Sequence, residues 1–301
     1  MEFRDIGSLK VSTVGIGCNN FGARIDQSQT QLVVDTCLDS GINFFDTADM
    51  YGSGKSEEFL GAALRSRRKD VVIATKFGHL FDGEPTGASP KHIRKACEDS
   101  LSRLGTDYID LYQLHTPDLD TPIADTLGAL NELVVAGKVR EIGCSNFDVT
   151  QIRESATVNI SGTKRFVSVQ NHYSLVHREP EQDVLPACEA NGMAFLPFFP
   201  LACGLLTGKY RKGAPLPEGT RIKAGSDWIN EANIDLAERL IEFAGSRNRT
   251  ILELAISWLL EKPRVASVIA GATSPEQVRS NVAASTWSLS PEELKIVDSL
   301  A

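Results

Sequence analysis

Nowhere in the sequence does an apolar run approach the ~20 residues that a membrane-crossing helix requires, and no membrane role is implied. Residues 1–10 lack the basic start and apolar core of a secretory signal, so the chain is expected to stay in the cytoplasm. Basic residues are in deficit: 31 Lys and Arg against 39 Asp and Glu leave a net charge of −8. A nucleic-acid binder needs a basic face to neutralise phosphates, and this balance argues against one. The six cysteines (Cys18, Cys37, Cys97, Cys144, Cys188 and Cys203) contain no pair at Cys-x-x-Cys spacing. Neither a zinc site nor a disulfide framework is suggested. Most of them fall in apolar patterns and read as small core residues, whereas Cys18 and Cys203 sit in Gly-rich turns. What remains, with 42% hydrophobic and 23% charged residues, is an ordinary soluble globule open to small neutral or polar ligands.

Helix starts are clearly marked. Ser89-Pro90, Thr121-Pro122, Ser274-Pro275 and Ser290-Pro291 each place a capping hydroxyl before a proline at the first helical position. Ser28-x-x-Gln31, Thr250-x-x-Glu253, Ser274-x-x-Gln277 and Ser290-x-x-Glu293 add capping boxes. Gly41, Gly105 and Gly137 predict helix ends. Ile93, Ala96, Cys97, Ser100, Leu101 and Leu104 trace one helical face, and Ile123, Leu127, Leu130 and Val134 another. Between the helices lie eight short apolar runs, at 13–17, 42–45, 71–75, 108–114, 139–144, 166–169, 193–197 and 267–270. Runs of this length separated by helices imply parallel strands joined by right-handed crossovers, and eight such units close into a (β/α)8 TIM barrel. A length of 301 residues suits one such domain. A doubly wound open sheet is the alternative, weakened because no Gly-x-Gly-x-x-Gly follows the first strand. Residues 2–11, turning at Gly7-Ser8, predict a β-hairpin plugging the barrel bottom, and extra helices are expected near the C-terminus. Residues 201–230, with five glycines and two prolines, predict a large loop over the active face.

The stretch 41–58 organises the rest. Its apolar run ends abruptly in Asp46, Tyr51 follows on a turn, and Gly52 and Gly54 break the chain before Leu60, Ala63 and Leu64 resume at helical spacing. Taken alone, an aspartate and a tyrosine in a loop are ordinary hydrogen-bonding residues. Barrel enzymes, however, build their sites at the carboxyl ends of the strands. Those ends offer Asp46, Lys76, His115, Ser145 with Asn146, and Gln170, while the seventh gives Phe198 and Phe199. A lysine in the barrel mouth is costly without a partner, and Asp46 is the natural one. His115 alone reads as a structural histidine; as one of five polar strand ends it reads as part of a site.

Asp46, Tyr51, Lys76 and His115 match in type, order and spacing the catalytic tetrad of the aldo-keto reductase family, which the sequence resembles over nearly its whole length. The stretch 41–61 is similar to the family's first signature, Asp110-Leu-Tyr-Gln-Leu-His115 to the strand bearing its histidine, and 137–147 to its fifth-strand segment. The resemblance implies NADP(H)-linked interconversion of aldehydes or ketones and alcohols without a metal, with NAD(H) as the other possible cofactor. In that reading Tyr51 donates the proton, Lys76 favours the phenolate, Asp46 holds Lys76 charged, and a neutral His115 orients the carbonyl. Ser145, Asn146 and Gln170 would grip the nicotinamide carboxamide, and Phe198 would stack on the ring where the family usually has tyrosine or tryptophan. Phe199 stands where a small serine is common. Pro200, Leu201, Cys203 and Gly204 fall in a stretch that resembles the pyrophosphate-covering loop, and Gly17, Cys18, Asn19 and Asp46 are further cofactor candidates. The adenine end resembles residues 271–281, where Gly271, Thr273, Gln277 and Asn281 are candidates and the helix start at Ser274 can receive phosphate. Gly271 and Gln277 replace the lysine and arginine that hold a 2′-phosphate in the best-known members, with Arg279 as a nearby substitute.

A second class of function stands beside the enzyme, because some relatives of this family are redox-sensing accessory subunits of channels that hold nicotinamide cofactor with little turnover. Such a role usually adds a partner segment, and a chain whose hairpin starts at Met1 and whose last helix ends at Ala301 is expected to be the enzyme. The C-terminal loop that closes the pocket in several branches is replaced by a helical pattern over 290–301. An open, permissive pocket is expected, with Asn19, Phe21, Phe77, Phe81, Phe147 and Trp228 as candidate walls. Neither the particular carbonyl substrate nor the oligomeric state is written in the sequence.

Overall fold

The computed structural model describes residues 1–81, 84–158, 164–223 and 225–301, the side chains of residues 80–85 excepted. Strands β1 (Phe3–Ile6) and β2 (Leu9–Ser12) form the antiparallel hairpin. Barrel strands β3 (Val14–Gly17), β4 (Phe44–Asp46) and β5 (Val72–Phe77) follow, then a short antiparallel pair, β6 (Leu80–Phe81) and β7 (Glu84–Pro85). The barrel continues with β8 (Ile109–Leu114), β9 (Val139–Ser145), β10 (Ser168–His172), β11 (Ala194–Phe198) and β12 (Val268–Gly271). Its strands pair in parallel in the order β11-β10-β9-β8-β5-β4-β3-β12. The ends of that ribbon meet where the Phe195 amide donates to Arg264 O at 2.7 Å and the Ala266 amide to Phe195 O at 3.1 Å. Each expected apolar run is thus a barrel strand.

Helices α1 (Gln27–Asp39), α2 (Lys55–Leu64), α3 (Pro90–Leu104), α4 (Ile123–Val135), α5 (Val149–Thr157) and α6 (Val184–Ala190) join successive barrel strands. The extra helices near the C-terminus are α7 (Glu231–Gly245), which precedes the regular α8 (Ile251–Leu260), and α10 (Pro291–Leu300), which follows α9 (Pro275–Ala283). No described helix is long and apolar enough to cross a membrane. Ser89, Thr250, Ser274 and Ser290 cap their helices, and the pairs Thr250–Glu253 and Ser290–Glu293 are reciprocal boxes. Three expected starts differ. The cap of α1 is Asp26, whose carboxylate accepts the Gln29 amide at 2.8 Å and also takes the Ser28 hydroxyl. Thr121 donates to Asp118 instead of capping α4. Gln277 Oε1 accepts from the Thr273 amide at 2.8 Å, so the Ser274 box is not reciprocal.

Strand side chains alternate between the barrel interior and the helices, and the interior set changes character from base to mouth. Phe44 precedes Asp46, Val72 and Ala74 precede Lys76, Leu111 precedes Gln113, and Leu196 precedes Phe198. The apolar lower members form one cluster with Ile6, Leu9 and Val11 of the hairpin, which therefore fills the barrel base. Ser8 pins the hairpin turn, its amide donating to Glu141 Oε1 at 3.0 Å, while Lys164 holds the other carboxylate oxygen at 2.8 Å. Gly7 in that turn has φ 56°, and a Cβ there would stand 2.9 Å from Val167, so the turn demands glycine. The outward set packs under the helices: Ile93, Ala96, Cys97, Leu101 and Leu104 of α3 are all buried in the main core.

Candidate active site

Asp46 ends β4 in the inward register, and the chain beyond it is stitched onto β5 by the Thr47 amide to Ala74 O (2.8 Å) and the Asp49 amide to Lys76 O (3.1 Å). The turn then carries Tyr51 back over the barrel mouth, and Gly54, at φ 90°, starts α2. Beneath Tyr51 lies a fully buried Lys76. Its Nζ donates to Asp46 Oδ2 at 2.6 Å, to Thr47 O at 2.8 Å and to the Tyr51 hydroxyl at 3.5 Å, so all three N–H donors of the ammonium are engaged. Asp46 Oδ1 accepts from Gln170 Nε2 at 2.8 Å and Gln113 Nε2 at 3.3 Å. His115 follows β8 directly, its ring edge-on to Tyr51 with centroids 5.9 Å apart. The carbonyl of His115 takes Asn146 Nδ2 at 2.9 Å, and its Nδ1 is buried without a hydrogen-bond partner among the described residues. The four residues expected to act together are adjacent.

Their protonation follows from this packing. Burial, then the Lys76 charge and His79, push the His115 imidazole down to about 2, so it is neutral at any ordinary pH. Burial lowers Lys76, but Asp46 and then Tyr51 outweigh it and leave the ammonium raised. For Tyr51 burial is again the largest influence, and it raises the phenol despite the opposing pull of Lys76. Lys76 thus pulls Tyr51 toward the phenolate, in the expected direction, but desolvation disfavours an anion more than that one cation supports it, and the phenol holds its proton more firmly than a free tyrosine.

Asp46, Tyr51 and His115 of this array line a cleft of about 850 Å³ at the barrel mouth. Ser145, Asn146, Gln170 and Phe198 line it near Asp46 and Tyr51, together with Gly17 and Asn19 at the end of β3. Phe199, Pro200, Leu201, Cys203 and Gly204 also line it, as do Gly271, Thr273, Gln277 and Asn281 at and after the end of β12. Asn146, Phe199 and Cys203 have φ of 59°, 51° and 55°, left-handed values that cost a non-glycine residue on the order of 1 kcal/mol. Three of the eight such non-glycine residues among those described thus line the cleft.

Some candidates fall elsewhere. Cys18 is completely buried; its amide donates to Asp46 O and its carbonyl accepts the Ser56 hydroxyl, both at 2.8 Å, so it braces β3 against the turn behind the lining. Phe21, Phe77 and Phe147 are core residues, not walls, the latter two packed on Tyr112 and Phe166. Trp228 lies behind Phe199 at 5.8 Å, and the side chain of Phe81 lies outside the described residues. Arg279 is exposed beside Glu276 at 3.9 Å and does not reach the lining. Not anticipated from the sequence are Gln113, though it shares the inward register of β8 with Leu111, and three cleft cations, Arg24, Lys209 and Arg221. Two of these cations belong to the loop 201–230, and Arg24 reaches across to Gly219 O of that loop at 3.5 Å. Cations in a loop expected over the active face were the available signal.

Residues 13–301 match the aldo/keto reductase family. An NADH-specific methylglyoxal reductase of Escherichia coli (strain K12) is 36% identical over 294 residues, covering 90% of this chain and 88% of that protein. A probable voltage-gated potassium channel subunit beta of Arabidopsis thaliana is 35% identical over 303 residues, covering 94% and 91%. The holo form of an aldo-keto reductase from Bacillus halodurans superposes with a TM-score of 0.83 at 36% identity, over 100% of this chain and 96% of that one. A match along almost the whole chain, on a plugged barrel with Asp46, Tyr51, Lys76 and His115 gathered at its mouth, makes the chain a member of the aldo/keto reductase family.

Proposed function

We propose that this protein is a cytoplasmic, single-domain enzyme that reduces aldehydes or ketones to alcohols, and the reverse, using NADP(H) and accepting NAD(H). The observation that carries the reading is one buried ammonium, Lys76, shared between Asp46 Oδ2 at 2.6 Å and the Tyr51 hydroxyl at 3.5 Å on a cleft that His115 also lines.

The cleft suits a nicotinamide dinucleotide by its donor set. Its lining combines amides and a hydroxyl from Ser145, Asn146 and Gln170, the ring of Phe198, the cations Arg24, Lys209 and Arg221, and residues Glu276 and Gln277 at the start of α9. Gln170 Nε2 is engaged by Asp46, which leaves its Oε1 for a carboxamide N–H. Bound there, the dinucleotide supplies or takes up a hydride. This chain's own residues handle the proton and the charge. As negative charge grows on the carbonyl oxygen, the Tyr51 hydroxyl gives its proton to that oxygen, and Lys76, held by Asp46, stabilises the phenolate left behind. Neutral His115 donates a hydrogen bond to the same oxygen and orients the carbonyl. In the oxidative direction the phenolate takes the proton back.

At the start of α9 Gln277 Oε1 is held by the Thr273 amide, leaving a neutral amide where a guanidinium would make a charge-assisted pair with a 2′-phosphate. Discrimination between NADPH and NADH is accordingly modest, and the E. coli relative is itself named NADH-specific. The name of the Arabidopsis relative motivates a second reading, a cofactor-holding subunit with little turnover. Purified protein given NADPH or NADH and a panel of aldehydes and ketones separates the two. Carbonyl-dependent loss of reduced-cofactor absorbance supports the enzyme, and cofactor binding without turnover across the panel overturns it.

A further inference from the structure

Phe198 is one member of a column of rings. Its plane lies 15° from that of His172 with centroids 5.6 Å apart, and His172 stacks in turn on His177 at 3.7 Å and 6°. The first step of the column is built by strand register, because His172 and Phe198 are paired across β10 and β11 as the last pair of that ladder. Both side chains follow the inward set of their strands, above Gln170 and Leu196. Phe199 and Trp228 close the sides of His172 edge-on, at 5.8 Å and 5.4 Å. At the outer end His177 Nδ1 stands 2.9 Å from Glu179 Oε2.

Packing rather than hydrogen bonding at Nε2 fixes His172, since that atom is buried with no partner among the described residues. Burial, then His177, pushes the imidazole down to about 4 against a smaller upward pull from Glu179, so at neutral pH the ring is an uncharged flat surface. His172 does not line the cleft; whatever it does there it does through Phe198.

We propose that His172 is a positioning residue whose ring, backed by His177, sets the plane of Phe198 and through it the seat of the nicotinamide ring. The inference rests on the reading above that Phe198 is the ring the nicotinamide faces. Phe198 has no polar atom on its side chain to fix its orientation, so its two torsions are held by neighbouring surfaces alone, and the surface parallel to it is His172. Without that surface Phe198 gains rotamers that a bound nicotinamide would have to remove again.

Calorimetric titration of the whole protein with NADPH, NADH and ADP-ribose, which lacks the nicotinamide, tests this beside thermal unfolding. In His172→Ala both reduced dinucleotides should bind about two- to tenfold more weakly, the worth of one stacked pair, while ADP-ribose binds as before. His172→Phe should restore the dinucleotide affinity. Equal weakening of all three ligands, or none, in His172→Ala overturns the proposal. Phe198→Ala distinguishes the failures: if it spares the difference between dinucleotide and ADP-ribose, the reading of Phe198 fails. If it removes that difference while His172→Ala does not, the column alone fails. Should His172→Ala unfold, His172→Leu keeps the volume without the ring face; a selective loss of dinucleotide affinity there supports the proposal, and wild-type affinities overturn it.

Discussion

Lys76 gives each of its three N–H donors a different acceptor, and the proposed chemistry at residue scale follows from that arrangement. In Lys76→Met the stem volume is largely kept while Asp46 loses its cation, so we expect cofactor binding to survive, turnover to collapse and stability to fall by ~3 kcal/mol or more. Wild-type turnover in that variant would remove Lys76 from the mechanism. Tyr51→Phe deletes one hydroxyl and should cost the ~10²- to 10⁴-fold that a positioned acid provides, with dinucleotide affinity intact. His115→Gln keeps a polar group near the oxygen and should retain more activity while KM rises; near-normal steady-state reduction by Tyr51→Phe would hand the proton to His115. Asp49 supplies a pH test. It is buried beside Glu57, whose carboxylate is held by Thr75 and Arg103 at 2.6 Å each, and its own Oδ1 has no hydrogen-bond partner among the described residues. Burial first, then the charge of Glu57, raise the Asp49 carboxyl to about 7. An acid raised in the folded state costs stability as pH climbs: there is no penalty below its ordinary value of 3.8, a growing one up to about 7, and a full one above. At ~1.4 kcal/mol per pH unit the full penalty reaches ~4 kcal/mol. Asp49→Asn should therefore raise Tm at pH 8 more than at pH 5, and an equal shift at both would refute the assignment.

At the scale of elements, α9 is the segment proposed to read the adenosine end of the cofactor. Gln277→Arg puts a guanidinium at the helix start and should shift the ratio of NADPH to NADH affinity toward NADPH by about tenfold, one charge-assisted hydrogen bond; an unchanged ratio in fluorescence titrations would dissociate this segment from the 2′-phosphate. The barrel elements were legible because strands buried on both faces are short apolar runs and their helices carry hydroxyl caps and glycine stops. Asp46, Lys76, His115 and Gln170 were legible for a related reason, since each is a polar residue at or just beyond the end of such a run. The rest lay in relations between elements. Asp26 outcompeted Ser28 as a cap because a carboxylate accepts both the amide and that hydroxyl. Phe21, Phe77 and Phe147 look like walls in a linear reading, but strand and loop geometry turns them away from the cleft. The stack of Phe198 on His172 and His177 joins residues whose adjacency depends on pairing two strands and folding back a loop, and no spacing within one segment encodes it.

Taken whole, the molecule is acidic, with a net charge of −8, yet Arg24, Lys209 and Arg221 converge on its cleft. An anionic dinucleotide of the kind proposed would be repelled by most of the surface and drawn to one place. Stopped-flow association of NADPH should slow as ionic strength rises, and Arg221→Gln should flatten that dependence; a wild-type rate indifferent to salt would rule out steering. The hairpin at the base has a consequence for traffic. With Ile6, Leu9 and Val11 corking one end of the barrel, the site is a cul-de-sac, and two visitors must share one doorway. Whichever occupies the inner berth has to arrive first and depart last. If, as proposed, a long dinucleotide spans the doorway and a small carbonyl sits over it, the queue would be set by the architecture itself.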